Sequence, residues 1–333
     1  MDHSANIVHC FEQLVDKQTI STDTNASFRI RTYRTIIKDV KETFYDTPIT
    51  TVDVFTGRKG YGKSSLQRIQ EIIDTGTLKE LRDTSEDGYE RHQCIKDLTR
   101  VIGIGAVKAR KIYDSGGSVA LLHNAYQQKD ASVLNPFKLT TQQLLGFKYI
   151  EDLNKRIPRD IIAGFETTLN QYCVSHQRYT SQVCGSYRRG QVDSGDIDVL
   201  ITSDTWDTEQ HARDGLVHLL QHLCSSNYLV DHMTEPKRVK TKYMGFLNIP
   251  ALGYVCRIDI RSVVHTHYPF ALAYFTGSKE ENMRLRHSAK RQGFKLSEYG
   301  LENQQDNTKH IFVSNEEELY ASLNEAYVLP TNR

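Results

Sequence analysis

The stretch "DIDVLIT", residues 196–202, limits the possible folds of this chain more than any other, because an apolar strand carries carboxylates at its first and third positions. Strand residues two apart share a face, so Asp196 and Asp198 converge while Ile197 turns toward the core. A carboxylate in such a run is costly to desolvate unless a counter-charge meets it. The fold must therefore bury one face of this strand and build a charged site on the other. "CRIDIRSVV", residues 256–264, repeats the pattern with Asp259 between two isoleucines. Three aspartates from two strands make an all-oxygen donor set of the kind Mg2+ prefers. The plainer alternative is a set of strand-edge carboxylates paired with Arg257 or Arg261.

A Gly185-Ser186 pair lies about ten residues before Asp196, at an expected strand-to-turn junction. A helix starting there aims free N–H groups at a triphosphate, and Arg189 adds a charge-assisted contact. No G-x-x-x-x-G-K-[ST] loop occurs, so this grip differs from a Walker loop.

Earlier in the chain, "GYGKSSLQRI" from Gly60 and "GIGAVKARKI" from Gly103 form an internal repeat, each a G-x-G followed by a helix pattern. Such a turn points backbone N–H groups outward at a helix start, where they suit a phosphate or close backbone approach. With Lys63, Lys108, Arg110 and Lys111 alongside, the repeat reads as two helix-hairpin-helix clamps on a nucleic-acid backbone. The net charge of +1 by itself implies no polyanion partner, but residues 29–68 hold nine Lys or Arg against four Asp or Glu. A second basic cluster runs from Lys279 to Lys295.

At 333 residues the chain is too long for one small core. Residues 7–45 read as helices, with "FRIRTYRTIIKDVKETF" apolar on one face. From Gln171 onward strand runs alternate with the helix pattern "GLVHLLQHLCSSN", and "KRIPRD" at 155–160 marks a boundary. The expected architecture is multi-domain α and α+β: helical units, an α+β catalytic unit, then a small α/β cap. Six cysteines without CxxC or metal-ligand spacing point to reduced thiols. The polar start is no secretory signal, and no apolar run reaches membrane-spanning length, so an intracellular protein with no membrane partner is expected.

The segments "LTRVIGIGAVKARKI", "KRIPR", "CGSYRRG", "SGDIDVL", "RIDIR", "YFTGS" and a final "GF…EY" together resemble the family X DNA polymerases, and within them the beta branch. The resemblance covers nearly the whole chain, in the family's order. It implies a helical lyase-type domain with the first hairpin over 1–83 and fingers with the second over 84–158. A nucleotidyltransferase palm over 159–265 and a thumb-like subdomain over 266–333 follow, with no BRCT extension. It also implies two Mg2+ ions, with Mn2+ as the alternative, on Asp196, Asp198 and Asp259. Asp259 would bind the catalytic ion and help deprotonate the primer 3′-OH. Ser186, Arg189, Ser194 and Gly195 would hold the β and γ phosphates, with Arg156 nearby. Tyr274, Phe275 and Gly277 would line the sugar pocket, and Asn282 and Arg286 would reach the minor-groove edges of the bases.

Na+ or K+ would sit on carbonyls of Thr99, Val101 and Ile104, and less securely near Thr56, Arg58 and Tyr61. Arg29, Arg34, Lys63 and Arg68 would meet the 5′-phosphate of a gap. Arg261, on the same strand face as Asp259, would neutralise Asp198 until nucleotide and metal arrive.

The implied activity is gap filling on gapped or nicked DNA with dNTP substrates, in base excision repair or end joining, by a monomer. It would act in the nucleus of a eukaryotic cell, or in the host cell or virion if viral. A template-independent terminal transferase is the alternative; "YFTGS" and the short segment between "NYLVDHM" and "YMGFL" count against it. A DNA-end scaffold is countered by the intact aspartates, and a poly(A) polymerase by the two clamps. Three departures from the family pattern stand out. Lys279 replaces an acidic residue against the incoming base, and "GRKGYG" replaces Leu-Pro-Gly in the first hairpin. Arg68 and Ser64 stand where lyase lysines are expected. An arginine stays protonated and forms no Schiff base, so lyase activity is doubtful, with Lys63 the nearest substitute amine.

Overall fold

The computed structural model describes residues 2–21, 23–44, 47–58, 60–82, 86–177, 179–304 and 310–333. It divides into two compact units, Met1–Lys148 and Tyr149–Arg333.

The first unit is helical. Helices α1 (Ser4–Ile20) and α2 (Ala26–Thr43) pack on each other and on α3 (Lys63–Thr75). Their buried residues Ile7, Phe11 and Leu14 on α1, and Tyr33, Ile36 and Val40 on α2, recur at three- and four-residue intervals, the stripe that a helix must turn inward. Short α4 (Lys79–Arg82) is followed by α5 (Glu86–Arg100), α6 (Ala106–Asp114), α7 (Val119–Gln127), α8 (Ala131–Leu134) and α9 (Thr141–Lys148). Each repeated glycine motif does the same job. Gly60 and Gly103 take positive φ (97° and 78°), while Gly62 and Gly105 cap α3 and α6 in extended conformation. A side chain at either turn glycine would be strained, which explains the repeated residue.

The second unit starts with α10 (Ile150–Leu153), β1 (Ile157–Pro158) and α11 (Arg159–Gln177). Its five-stranded sheet runs in the order β2-β4-β7-β6-β5, from β2 (Thr180–Val183), β4 (Asp196–Thr202), β5 (Leu229–His232), β6 (Lys242–Asn248) and β7 (Val255–Ser262). Only β4 and β7 pair in parallel; the other neighbours are antiparallel. Ile197, Val199 and Ile201 of β4 join Ile258 and Ile260 of β7 in a core with Phe165 of α11 and with Leu216 and Leu219 of α13 (Glu209–Ser225).

On the opposite face of β4, Leu200 is sealed under Ala271 of α14 (Tyr268–Thr276), whereas Asp196 and Asp198 remain half-buried at the open end. The two-residue β3 (Asp193–Ser194) pairs with β1, and the single turn α12 (Gly185–Arg188) links β2 to it. The chain then folds α15 (Lys279–Arg291), a sheet of β8 (Phe294–Ser297), β9 (Gly300–Asn303) and β10 (His310–Ile311), and α16 (Glu316–Ser322). Phe270, Leu285, Leu301, Leu319 and Tyr320 form the core of this last part. Among the described residues no helix is long and apolar enough to cross a membrane.

Candidate active site

Parallel pairing of β4 with β7 sets Asp198 directly beside Asp259 and Asp196 beside Arg257. The three aspartates foreseen from sequence are therefore on neighbouring strands with side chains on one face. Their protein counter-charge is Arg257, whose Nη2 lies 3.1 Å from both Asp259 oxygens and 3.6 Å from Asp196 Oδ2. Burial, the Asp196 carboxylate and Asp259 together push Asp198 up to about 7, against the pull of Arg257 and Arg189. Asp196 is raised too, by burial and by Asp259, although Arg257 opposes it. Burial and the crowding of the carboxylates, only partly offset by Arg257, thus raise the proton affinity of the site.

Among the described residues no three acidic or imidazole groups form a ready-made cage; the aspartates are instead arranged around Arg257. The donor set still fits a hard dication. It is all oxygen, and burial together with the neighbouring carboxylates lifts Asp198 toward neutrality.

Arg261 does not reach Asp198 as expected. It donates to the Tyr299 hydroxyl and lies 3.5 Å from Glu298, with its guanidinium 5.3 Å over the Tyr299 ring. The register explains the correction: Arg261 pairs beside Leu200, under α14, and the β8–β9 turn supplies both an acid and an aromatic face.

The glycine of "CGSYRRG" is fixed by contact. Gly185 takes φ +56°, and a Cβ there would approach Asp198 Oδ2 within 2.5 Å. The Cys184 N–H donates to the Asp198 carbonyl at 2.8 Å, so the turn into α12 is bound to the strand that carries the carboxylates. Ser186 Oγ donates to Ser194 Oγ at 2.7 Å, and Ser194 is buried. Arg189 Nη1 donates to the Thr276 carbonyl at 2.7 Å, and a Cβ on Gly277 would come within 3.2 Å of that nitrogen. Arg156 donates to Asp193 Oδ1 from Nε and Nη2, at 3.0 and 2.8 Å.

A neighbouring residue was missed from sequence. Arg188 donates to Thr276 Oγ1 at 2.5 Å and to Glu316 Oε2 at 2.6 Å, and Arg333 meets the same carboxylate at 2.7 Å. Its doubled arginine in "YRRG" was the only signal.

Tyr274 and Phe275 close the end of α14 with rings edge to face at 5.5 Å. Asn282 Nδ2 donates to the Tyr274 carbonyl at 2.8 Å, and the Arg286 guanidinium lies 5.1 Å over the Tyr274 ring. Ser278 caps α15 by accepting from the Glu281 N–H. Exposed Lys279 begins that helix, three and seven residues before Asn282 and Arg286, so the three share one face. Tyr274, Asn282 and Arg286 line a small pocket with Phe270, Leu296 and Ser297.

In the first unit the Ile104 N–H donates to the Val101 carbonyl at 3.0 Å, closing the second hairpin, and Thr99 Oγ1 donates to the Lys96 carbonyl. Gln143 braces this turn with a 2.8 Å bond to the Gly103 carbonyl. The first hairpin is held differently. Arg58 Nη1 lies 2.9 and 3.1 Å from the two Asp39 oxygens, and Tyr61 Oη is 2.8 Å from Oδ2. Although burial opposes it, hydrogen bonds from Thr43, Tyr61 and Arg58 hold the Asp39 carboxyl below the usual range. Thr56 closes the same loop through the Asp53 carbonyl.

Of the cations foreseen for a 5′-phosphate, Arg68 is bound by both carboxylate oxygens of Glu80 and sits 5.7 Å over the Tyr33 ring. Arg29 pairs with Asp23 at 2.9 Å, while Lys63 opens α3 exposed to solvent. Lys17, missed from sequence, donates to the Glu80 carbonyl beside Arg68. Lys108 is drawn to the Lys138 carbonyl at 3.2 Å.

Comparison with known proteins agrees with this geometry. Residues 156–265 match a family model described as DNA polymerase beta palm, and residues 271–333 one described as DNA polymerase beta thumb. The chain is 30% identical to DNA polymerase lambda of Arabidopsis thaliana over 309 residues, 90% of this chain and 54% of that protein. It is 28% identical to DNA polymerase lambda of Rattus norvegicus over 265 residues, 77% of this chain and 43% of the relative. With DNA-directed DNA/RNA polymerase mu of Homo sapiens it shares 24% over 317 residues, 86% and 61% of the two. It spans about half the length of the curated relatives it matches.

Proposed function

Because this chain belongs to the family X DNA polymerases, we propose that it adds dNMP to a primer 3′-OH under template direction, filling short gaps during DNA repair. The observation that carries the reading is the parallel register that sets Asp198 beside Asp259, with Gly185 pressed against Asp198. Asp196, Asp198 and Asp259 would hold two divalent ions, Mg2+ or alternatively Mn2+, which when bound supply positive charge to the attacking and departing oxygens. Asp259 takes part on the primer side, where its carboxylate receives or orients the hydroxyl proton. Ser186, Arg189, Ser194, Gly195 and Arg156 bind the triphosphate tail. Tyr274, Phe275 and Gly277 bound the sugar, and Asn282 and Arg286 orient the base pair from its minor-groove edge.

The two hairpins grip the DNA backbone without reading its sequence. A monovalent cation on the Thr99, Val101 and Ile104 carbonyls would help the second. Arg68, protonated and already held by Glu80, binds a gap's 5′-phosphate at most as a cation, so no covalent lyase step is assigned to it. The decisive test is primer extension on gapped DNA, open template-primer and unpaired primer. The proposal expects the gapped substrate to be extended best; efficient extension of the unpaired primer would make the chain a terminal transferase instead.

A further inference from the structure

Three arginines belong to the segments of the phosphate grip, one held by a backbone carbonyl and two by carboxylates that differ in burial. Arg189 is tied to a backbone carbonyl and Arg188 to the buried Glu316. Arg156 is tied to Asp193, and this pair is the exposed one, with side chains 55% and 41% accessible. Antiparallel pairing of Ile157 with Ser194 and Pro158 with Asp193 brings Arg156 across from Gly195. The Tyr254 hydroxyl, at 2.5 Å from the Arg156 carbonyl, fixes its backbone there. The guanidinium grips Asp193 Oδ1 with two nitrogens and the Asp193 carbonyl with a third bond of 3.3 Å. Its Nη1 lies so close to the Gly195 backbone that a Cβ on Gly195 would sit 3.0 Å from it. The cation therefore rests along the segment 193–195, flanking Ser194, whose hydroxyl meets Ser186.

We infer that Asp193 is a positioning residue for the incoming nucleotide: an internal counter-ion that parks Arg156 at the phosphate grip and that the triphosphate must displace. The inference rests on the reading of this grip as a triphosphate site. An exposed carboxylate–guanidinium pair is weakly held, whereas a polyphosphate offers the same guanidinium several charged oxygens in bidentate geometry. The exchange buries nothing new, since both side chains already face solvent. Asp193 thus keeps the cation in place in the empty enzyme and weakens nucleotide binding by the strength of the pair.

The test is steady-state insertion on gapped DNA. Asp193→Asn lowers the KM for dNTP, and the Ki of inorganic tripolyphosphate as competitor, by about two- to fivefold, while kcat changes by less than about twofold. In an Arg156→Ala background the same substitution leaves both constants unchanged. An unaltered or raised KM in Asp193→Asn overturns the inference, as does an equal drop in the Arg156→Ala background. A purely structural latch between β1 and β3 would lower Tm and leave the KM to kcat split untouched, which also overturns it. Arg189→Ala is measured in parallel. If it raises KM while Asp193→Asn does nothing, only the role of Asp193 is lost. If neither responds, the triphosphate reading of the grip fails with it.

Discussion

Asp259 shares one guanidinium with Asp196 and faces Asp198 across the parallel pair, and the role proposed for it is on the primer hydroxyl rather than on DNA binding. Asp259→Ala is expected to lower single-turnover insertion by about three orders of magnitude, with DNA affinity held within about threefold. Quench-flow and DNA titration measure the two quantities separately, and near-normal insertion would refute the assignment. Asp198 gives a pH signature. Its folded-state pKa of about 7 lies far above that of an unfolded aspartate near 4. Between these values the folded metal-free protein holds a proton that the unfolded chain has released, so stability falls as pH rises through that window and levels off above about 7. Scanning calorimetry in chelator should show Tm declining from pH 5 to 7.5, and Asp198→Asn should flatten the curve.

The aspartates were legible because a two-residue period is visible in one strand. The choice between Arg257 and Arg261 was not, since both flank Asp259 at equal distance on the same face. The neighbouring strand decides it, by placing Asp196 beside one arginine and Leu200 beside the other. Asp193 was invisible for a similar reason, as its partner arrives through β1.

Among the elements, the two glycine turns before α3 and α6 were legible as a repeat and the helices over 7–45 as apolar stripes, which became α1 and α2. What secures each hairpin was not legible, because the bracing groups come from elsewhere in the chain: Asp39 from α2 for the first, Gln143 from α9 for the second. "GRKGYG" departs from the family pattern where Arg58 and Tyr61 turn inward to Asp39. Asp39→Ala strands both groups and is expected to cost about 1–3 kcal/mol of first-unit stability. Urea denaturation followed by hydrogen exchange on α2 and α3 would measure it. Adding Arg58→Ala should cost little more, since the two changes break one network. A fully additive double variant would show that the residues act independently. The turn after β2 was also foreseen as a helix start, and it is a single turn, because Gly190 reverses the chain at φ +81°.

At the scale of the whole molecule, near-neutral net charge coexists with cationic clusters in the sequence over residues 29–68 and 279–295. The logarithm of affinity for gapped DNA should fall linearly with log salt, each phosphate contact adding about 0.9 to the slope. A 5′-phosphate in the gap should raise affinity through Lys63, Arg34, Arg29 and Arg68. Fluorescence titration of gaps with and without that phosphate measures this, and equal affinities would refute the role of the first unit. The parallel β4–β7 pair also bears on how the protein is made. Between these strands the chain must emerge from the ribosome as α13 and then the antiparallel β5–β6 pair before β7 can be inserted between β4 and β6. Parallel pairing across so long an interval is slow and follows local helix formation. A nascent chain that already displays Asp196 and Asp198 is therefore still without Asp259, and a product truncated before β7 lacks one of the three carboxylates of the site.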